Sequence, residues 1–280
     1  MISFADNKLS RVMTMDEVRT ACPYAFAETP TNPGVSEKYT HANTATVIED
    51  MAKLGWYPVQ AKQCRHKKNS SGIRSFHIIA FENKDVYIEK DGQTEAYVRI
   101  ILQNSHDGFN SFKFMMGLYR MCCSNGCVVA DAEFANFSIR HINYDFEELR
   151  TVVAQVLDSV PNVVNQMNTM SRTVLTENQK REMAVETYKI RKGIDADEKV
   201  TVTDATIDEL LTPVREEDKG DTLWNVYNVL QEKLIRGGFI ITSLQGKTRK
   251  QRPITSIKKD TEYNQQLWAV AAQYMPAMAA

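Results

Sequence analysis

The sequence contains no run near the roughly 20 consecutive apolar residues that a membrane-crossing helix requires, so no transmembrane anchor is expected. Its opening stretch, "MISFADNKLSRVMTMDEV", carries charges where a secretion signal needs an apolar block, which points to a protein kept in the cytoplasm. Cysteine is scarce. Five thiols in 280 residues, an odd number, do not make a disulfide framework, and reduced thiols are the simpler account. An excess of either charge is also missing: 34 Lys and Arg against 35 Asp and Glu leave a net charge of −1. A protein that coats nucleic acid with its whole surface is therefore not expected, although a basic groove remains open if the charges are segregated.

Catalytic signatures are missing too. There is no P-loop, no G-x-G-x-x-G, no H-E-x-x-H and no G-x-S-x-G. "REED" and "DADE" read as loop and cap chemistry, and no carboxylate pair sits in apolar surroundings as a hydrolase acid would. Neither an internal repeat nor a low-complexity segment is found. No metal or cofactor is expected.

What is present is an ordinary globular composition, 43% hydrophobic and 25% charged, long enough to bury a core without staples. Three prolines and one glycine between Pro23 and Gly34 mark a loop. Thr44 or Thr46 can cap a short helix whose Val47, Ile48, Met51 and Leu54 share a face and which ends at Gly55. "IRSFHIIAFE" and "AYVRIILQ" then alternate in period two and are apolar on nearly both faces. Such strands belong in the middle of a sheet covered on both sides. "NKD", "KDGQ" and "SHDG" are the expected turns between them. "FKFMMGLYRMCC" continues as a strand, or as a strand running into a helix.

From Tyr144 the period becomes helical. Val152, Val153, Val156, Leu157 and Val160 form a stripe, with Pro161 expected to kink it. Thr176 with Gln179 forms a capping box. "DATIDELL" is a short helix. Asp221 is placed to cap a longer one, whose Leu223, Val226, Tyr227, Leu230 and Leu234 face inward and which Gly237-Gly238 stops. A last helix covers "TEYNQQLWAVAAQYM". The expected fold is α+β: a mainly antiparallel N-terminal sheet with a short helix packed on it, over 1–143, then a mostly helical half over 144–280. The two halves are either separate domains or one continuous domain.

"RMCCSNGC" holds three of the thiols. Cys122, Cys123 and Cys127 lack C-x-x-C spacing, and His106, His141 and Cys64 supply no metal cadence beside them. The Asn-Gly step favours a hairpin turn between two strands. A nuclease or thiol enzyme built on Cys123, Asp107 and His141 is the weakest of the functional readings.

Two basic clusters carry more. "KQCRHKK" follows Trp56-Tyr57 and leads to Arg74, while "GKTRKQR" lies near the C-terminal end. Phosphates call for such cations, and bases call for exposed aromatic rings beside them. The expected contacts are Arg65, Lys67, Lys68, Arg74, Arg99 and Arg120, with Trp56 or Tyr57 stacking a base. Lys247, Arg249, Lys250 and Arg252 extend the track. Catalytic and metal-binding residues are expected to be none.

"GLYRMCCSNGC", "SIRHI" and the late run "TPVREEDKGDTLWNVYNVLQEKLIRGG…RPITSIKKDTEYNQQLWAVA" together resemble the phage and plasmid proteins grouped as domain-of-unknown-function family 932. The motif positions are Arg120, Cys123 to Gly126, Ile139 to His141, Asn228 to Gly238, and Asn264 to Trp268. The resemblance implies a home in mobile-element genomes. The order of helix, "LGWYPVQ", basic hairpin, central strands and helix is similar to the core of Rad-type single-strand annealing proteins, which implies an oligomer that needs no metal or nucleotide. The expected partner is single-stranded DNA or RNA, bound by a non-enzymatic homo-oligomer, with no membrane involved. The alternative is a phage protein that binds a host protein, either defence or machinery.

Overall fold

The computed structural model describes residues 2–3, 11–35, 41, 43–64, 75–90, 93–110, 112–120, 126–128, 138–139 and 145–276. The chain divides into two compact units. One comprises residues 1–126 with 131–161, and the other residues 127–130 with 162–280.

The first unit is built on an antiparallel sheet. Its central strands are β2 (Tyr57–Gln63), β3 (His77–Lys90), β4 (Gln93–Asn104) and β5 (Phe112–Arg120), preceded in sequence by β1 (Ile2–Ser3). β6 (Gly126–Val128) follows β5 in sequence, and β7 (Ser138–Ile139) pairs with β5. β3 carries β1 and β2 along one edge and β4 along the other. Every described side chain of β4 from Ala96 to Leu102 is buried, so the sheet is covered on both faces. That is why these strands read as near-continuous apolar runs.

"NKD" is not a turn. Residues 83–85 lie within β3, where the pairing with β4 shifts between Glu82 and Tyr87. Inserted residues in one strand make a bulge, which absorbs turn-like chemistry without reversing the chain. "FKFMMGLYR" is strand throughout.

α1 (Met15–Ala21) opens with a capping box between Thr14 and Glu17. α2 (Thr44–Lys53) buries Val47, Ile48 and Met51. Asn43, and neither Thr44 nor Thr46, caps it, accepting from the Ala45 amide at 2.9 Å. Trp56, just past the helix, is 1% exposed and belongs to the core. α3 (Phe146–Arg172) contains Pro161, and the division between the units falls at that residue. Leu157 leaves the expected stripe and is exposed, while Val152, Val153, Val156 and Val160 are buried.

The second unit is mainly helical: α4 (Glu177–Lys192), α5 (Asp204–Leu211), α6 (Leu223–Arg236) and α7 (Ile257–Ala272), with a hairpin of β8 (Ile240–Thr242) and β9 (Thr248–Lys250). The Thr176–Gln179 capping box forms as expected. Thr222 caps α6, while Asp221 pairs with Lys180 at 2.7 Å. All five expected inward residues of α6 are buried. Tyr227 stacks on Trp224 and meets the Trp268 ring edge-on, with centroids 5.8 and 5.5 Å away. Edge-to-face and offset pairs add stabilisation beyond the area they bury. The architecture is α+β: a sheet with short helices, then a mostly helical half.

Candidate nucleic-acid interface

The β8–β9 hairpin is the described element on which exposed cations concentrate. Its register pairs Ile240 with Lys250, Ile241 with Arg249 and Thr242 with Thr248. The loop between the strands closes with Gly246 in the left-handed region, at φ 76°. Its amide donates to the Ser243 carbonyl, and the Ser243 amide to the Lys247 carbonyl. Glycine is the residue that such a turn tolerates best.

One strand is anchored and the other is free. Thr203 and Thr206 of the α5 cap donate to the Thr242 carbonyl at 2.8 and 3.2 Å, and the Thr242 amide donates to Thr206 Oγ1 at 2.9 Å. Ile241 is buried, whereas Thr248, Arg249 and Lys250 are all exposed. At the base, Gly237 turns the chain at φ 67°. A Cβ there would meet the Gln251 carbonyl oxygen at 2.7 Å. Arg191 closes the arrangement by donating to the Leu234 carbonyl at 2.6 Å and to the Arg252 carbonyl.

Electrostatically the hairpin and the residues just after it gather four exposed cations within six positions, 247–252. Lys180, Arg181, Lys189, Arg215 and Lys219 each pair with a carboxylate. Among the described residues, Lys247, Arg249, Lys250 and Arg252 form no such ion pair. Lys192, at the end of α4, has its ammonium pushed below the usual lysine range by burial first, then by Arg249 and Arg191 beside it. Like charges held this close raise the free energy of the empty surface, and an anion relieves it.

The other expected contacts fall differently. Trp56 is interior, 1% exposed, and cannot stack a base. Tyr57 is 40% exposed on β2. Arg99 is not a phosphate contact. It is 6% exposed, its Nε donates to Glu82 Oε1 at 2.7 Å, and its guanidinium lies 3.7 Å from the centre of the Tyr119 ring. Arg120 ends β5 opposite Ala96. Its side chain, and all of Arg65, Lys67, Lys68 and Arg74, lie outside the described residues, as do Cys122, Cys123 and His141.

A second polar cluster, which the sequence shows only as scattered letters, sits in the first unit. Thr44 Oγ1 lies 3.0 Å from His77 Nε2 and 3.2 Å from His106 Nε2, and it accepts from Asn104 Nδ2 at 2.9 Å. His77 Nδ1 must donate to the Ser75 carbonyl, 2.7 Å away, because a carbonyl only accepts. In neutral His77, Nε2 therefore accepts the Thr44 hydroxyl proton, and His106 Nε2 donates to Thr44. Burial depresses His77 to about 4, against the opposing pull of the Ser75 carbonyl and Asp107, so the neutral ring prevails at pH 7. Among the described residues no group of three or more His, Cys, Asp or Glu side chains is arranged to hold a metal. The cluster is closed: Thr44, His77, His106 and Asn104 are all 0% exposed.

The late motifs have structural work. Gln231 donates to Asn264 at 2.8 Å, Asn264 donates to the Asp260 carbonyl at 2.8 Å, and Trp268 Nε1 donates to Gln166 at 3.1 Å. They tie helices together and present the hairpin after Gly237-Gly238. Arg191, Lys192 and Phe109 are features that sequence reading passed over. "SHDG" was legible as a turn, but nothing in it marks the next residue as an exposed ring.

Here the fold and its basic hairpin define an α+β protein with a segregated cationic element on a nearly neutral chain. The chain belongs to the family described as Domain of unknown function (DUF932), whose model matches residues 34–268. It is similar to the UPF0380 proteins YafZ and YfjQ of Escherichia coli (strain K12). Each is 26% identical over 263 residues, covering 93% of this chain and 91% of theirs. No solved structure matches it. No helix among the described residues is long and apolar enough to cross a membrane.

Proposed function

We propose that this is a non-enzymatic protein of the cytoplasm that binds the backbone of single-stranded nucleic acid, as an oligomer, in the replication or recombination of a mobile element. One observation carries the reading: four exposed cations, Lys247, Arg249, Lys250 and Arg252, stand on a braced hairpin without a carboxylate partner among the described residues. Phosphates reward such a surface through release of counterions. Exposed Tyr57 supplies a ring of the kind that bases stack on. The choice of single-stranded over duplex substrate rests on the element order read from the sequence, which resembles that of annealing proteins.

The test is fluorescence anisotropy with a labelled oligothymidylate, comparing the wild type with a variant in which all four hairpin cations are glutamine. The expected result is binding by the wild type and a large loss in the variant. Equal binding by the two proteins removes the reading. Exposed Val174, Val214 and Leu244 on the second unit favour a second reading, a protein partner in the host. A partner captured on immobilised protein that survives nuclease treatment, and that the glutamine variant still captures, supports it.

A further inference from the structure

The β8–β9 hairpin has two outer edges, and only one of them is occupied. The Ser243 amide donates to the Lys247 carbonyl at 2.8 Å, and the Gln251 amide to the Phe239 carbonyl at 2.9 Å. Bonded and non-bonded pairs alternate along an antiparallel ladder, so Ile241 and Arg249 form the bonded pair between them. The amides and carbonyls of Ile240, Thr242, Thr248 and Lys250 therefore point away from the hairpin's own ladder. On the β8 side α5 and its cap take them up. The Ile240 amide donates to Glu209 Oε2 at 3.2 Å, and the Thr242 amide and carbonyl bond to Thr203 and Thr206. On the β9 side the backbone groups of Thr248 and Lys250 have no hydrogen-bond partner among the described residues, and all three residues of the strand are exposed.

A lone two-stranded hairpin is marginal in water. This one is held in strand geometry through α5 and through Arg191 at its base. Its open edge is thus ordered before any partner arrives, which lowers the entropy lost on binding. The edge offers an N–H and a C=O from each of two residues. The backbone of an extended peptide donates and accepts in the same alternation and adds to such an edge as a further strand. A phosphodiester link accepts but does not donate, so it can use the side chains and leaves the two carbonyls unmatched.

Charge selects the peptide. Side chains alternate between the faces of a strand, so Lys247 and Arg249 share one face of β9 and Lys250 stands on the other. A strand laid along the edge meets cations on both faces. A second copy of β9 would set like charges opposite each other, which destabilises pairing and keeps copies of this hairpin apart. Carboxylates on the incoming strand reverse the sign of that interaction.

We infer that the outer edge of β9 is a docking site for an extended acidic segment of another protein, which adds as a third strand beside β8 and β9. The inference goes beyond the nucleic-acid reading and stands without it. Where both hold, the acidic segment and the single strand compete for the same four cations, and the segment regulates release of the nucleic acid.

The experiment titrates the full chain with three labelled peptides of equal length: one of glutamate and threonine, the same peptide methylated at every backbone nitrogen, and one with lysine in place of glutamate. The first is expected to bind. The methylated peptide keeps the charge but loses the donors, and is expected to bind more weakly by roughly 2- to 10-fold for each hydrogen bond removed. The lysine peptide is expected not to bind. Thr248→Pro removes one outward N–H without touching the ladder or the charge, since proline is tolerated where an edge N–H faces solvent. It is expected to weaken the glutamate peptide by the factor for one bond. Absence of glutamate-peptide binding by the wild type overturns the inference. Equal binding of the methylated peptide also overturns it, because the cations then act without the edge. Equal binding of the lysine peptide does so too, because charge then selects nothing. A wild-type dimer that Thr248→Pro dissolves gives the edge to a second copy, and oligothymidylate weakened by Thr248→Pro as much as the peptide gives it to nucleic acid; either result overturns the inference. Peptide binding with no oligothymidylate binding supports the inference and removes the reading above.

Discussion

Arg99 and Glu82 face each other across strands β4 and β3 and form an ion pair of 2.7 Å inside the sheet, with side chains only 7% and 0% exposed. Taking two charges out of water costs several kcal/mol per ion, and only good geometry repays it. Removing one partner strands the other. Arg99→Ala is expected to destabilise the first unit by about 3–5 kcal/mol, whereas Arg99→Met with Glu82→Leu loses far less. Urea unfolding midpoints of the three proteins decide this. Equal loss in the single and double variants contradicts it.

His77 makes stability depend on pH in a defined window. Its ordinary value of 6.5 falls to about 4 in the fold, mainly through burial. Between these values the unfolded chain holds a proton that the folded chain lacks, so stability rises with pH there and is lost as pH falls from 6.5 toward 4. The full window is worth about 3 kcal/mol. His77→Asn removes this contribution, and the difference between wild-type and variant unfolding free energies should narrow as pH is lowered. A constant difference contradicts the assignment.

Thr44 and Asn43 are neighbours with different tasks. Asn43→Ala removes a helix cap and is expected to cost about 1 kcal/mol. Thr44→Val leaves the partners of a buried hydroxyl without it and is expected to cost about 2–4 kcal/mol, most of it recovered by Thr44→Ser. Thermal unfolding of the three variants gives the order directly.

Sequence patterning was sufficient for the parts of this fold governed by periodicity. The α6 stripe, the Thr176 capping box and the doubly covered strand β4 all follow from local spacing. It failed where tertiary context chose between equals. Thr44, Thr46 and Asn43 are all competent cap residues by type, and the Thr44 hydroxyl is committed instead to His77 and His106. Arg99 reads as a phosphate ligand until Glu82, seventeen residues earlier, is placed opposite it by the strand register. The candidate site was half legible: "GKTRKQR" announces the hairpin cations, but no spacing rule links Arg191 to Leu234.

Gly237 sets the position of the hairpin. Gly237→Ala puts a methyl group 2.7 and 2.8 Å from the backbone of Gln251 and Arg252, at a φ of 67°, and is expected to cost about 3 kcal/mol or more. Gly246→Ala meets nothing within 4 Å and pays only the left-handed penalty, about 1 kcal/mol. Urea unfolding compares the two, and amide exchange at Ile240–Thr242 reports whether the hairpin loosens in the first.

The salt dependence of single-strand binding tests the central claim most directly. Each phosphate neutralised on a single strand contributes about −0.7 to the slope of log affinity against log salt, so losing four contacts makes the slope shallower by about 3. The account predicts a steep slope for the wild type and that flattening when Lys247, Arg249, Lys250 and Arg252 become glutamine. The same slope in both proteins would contradict it.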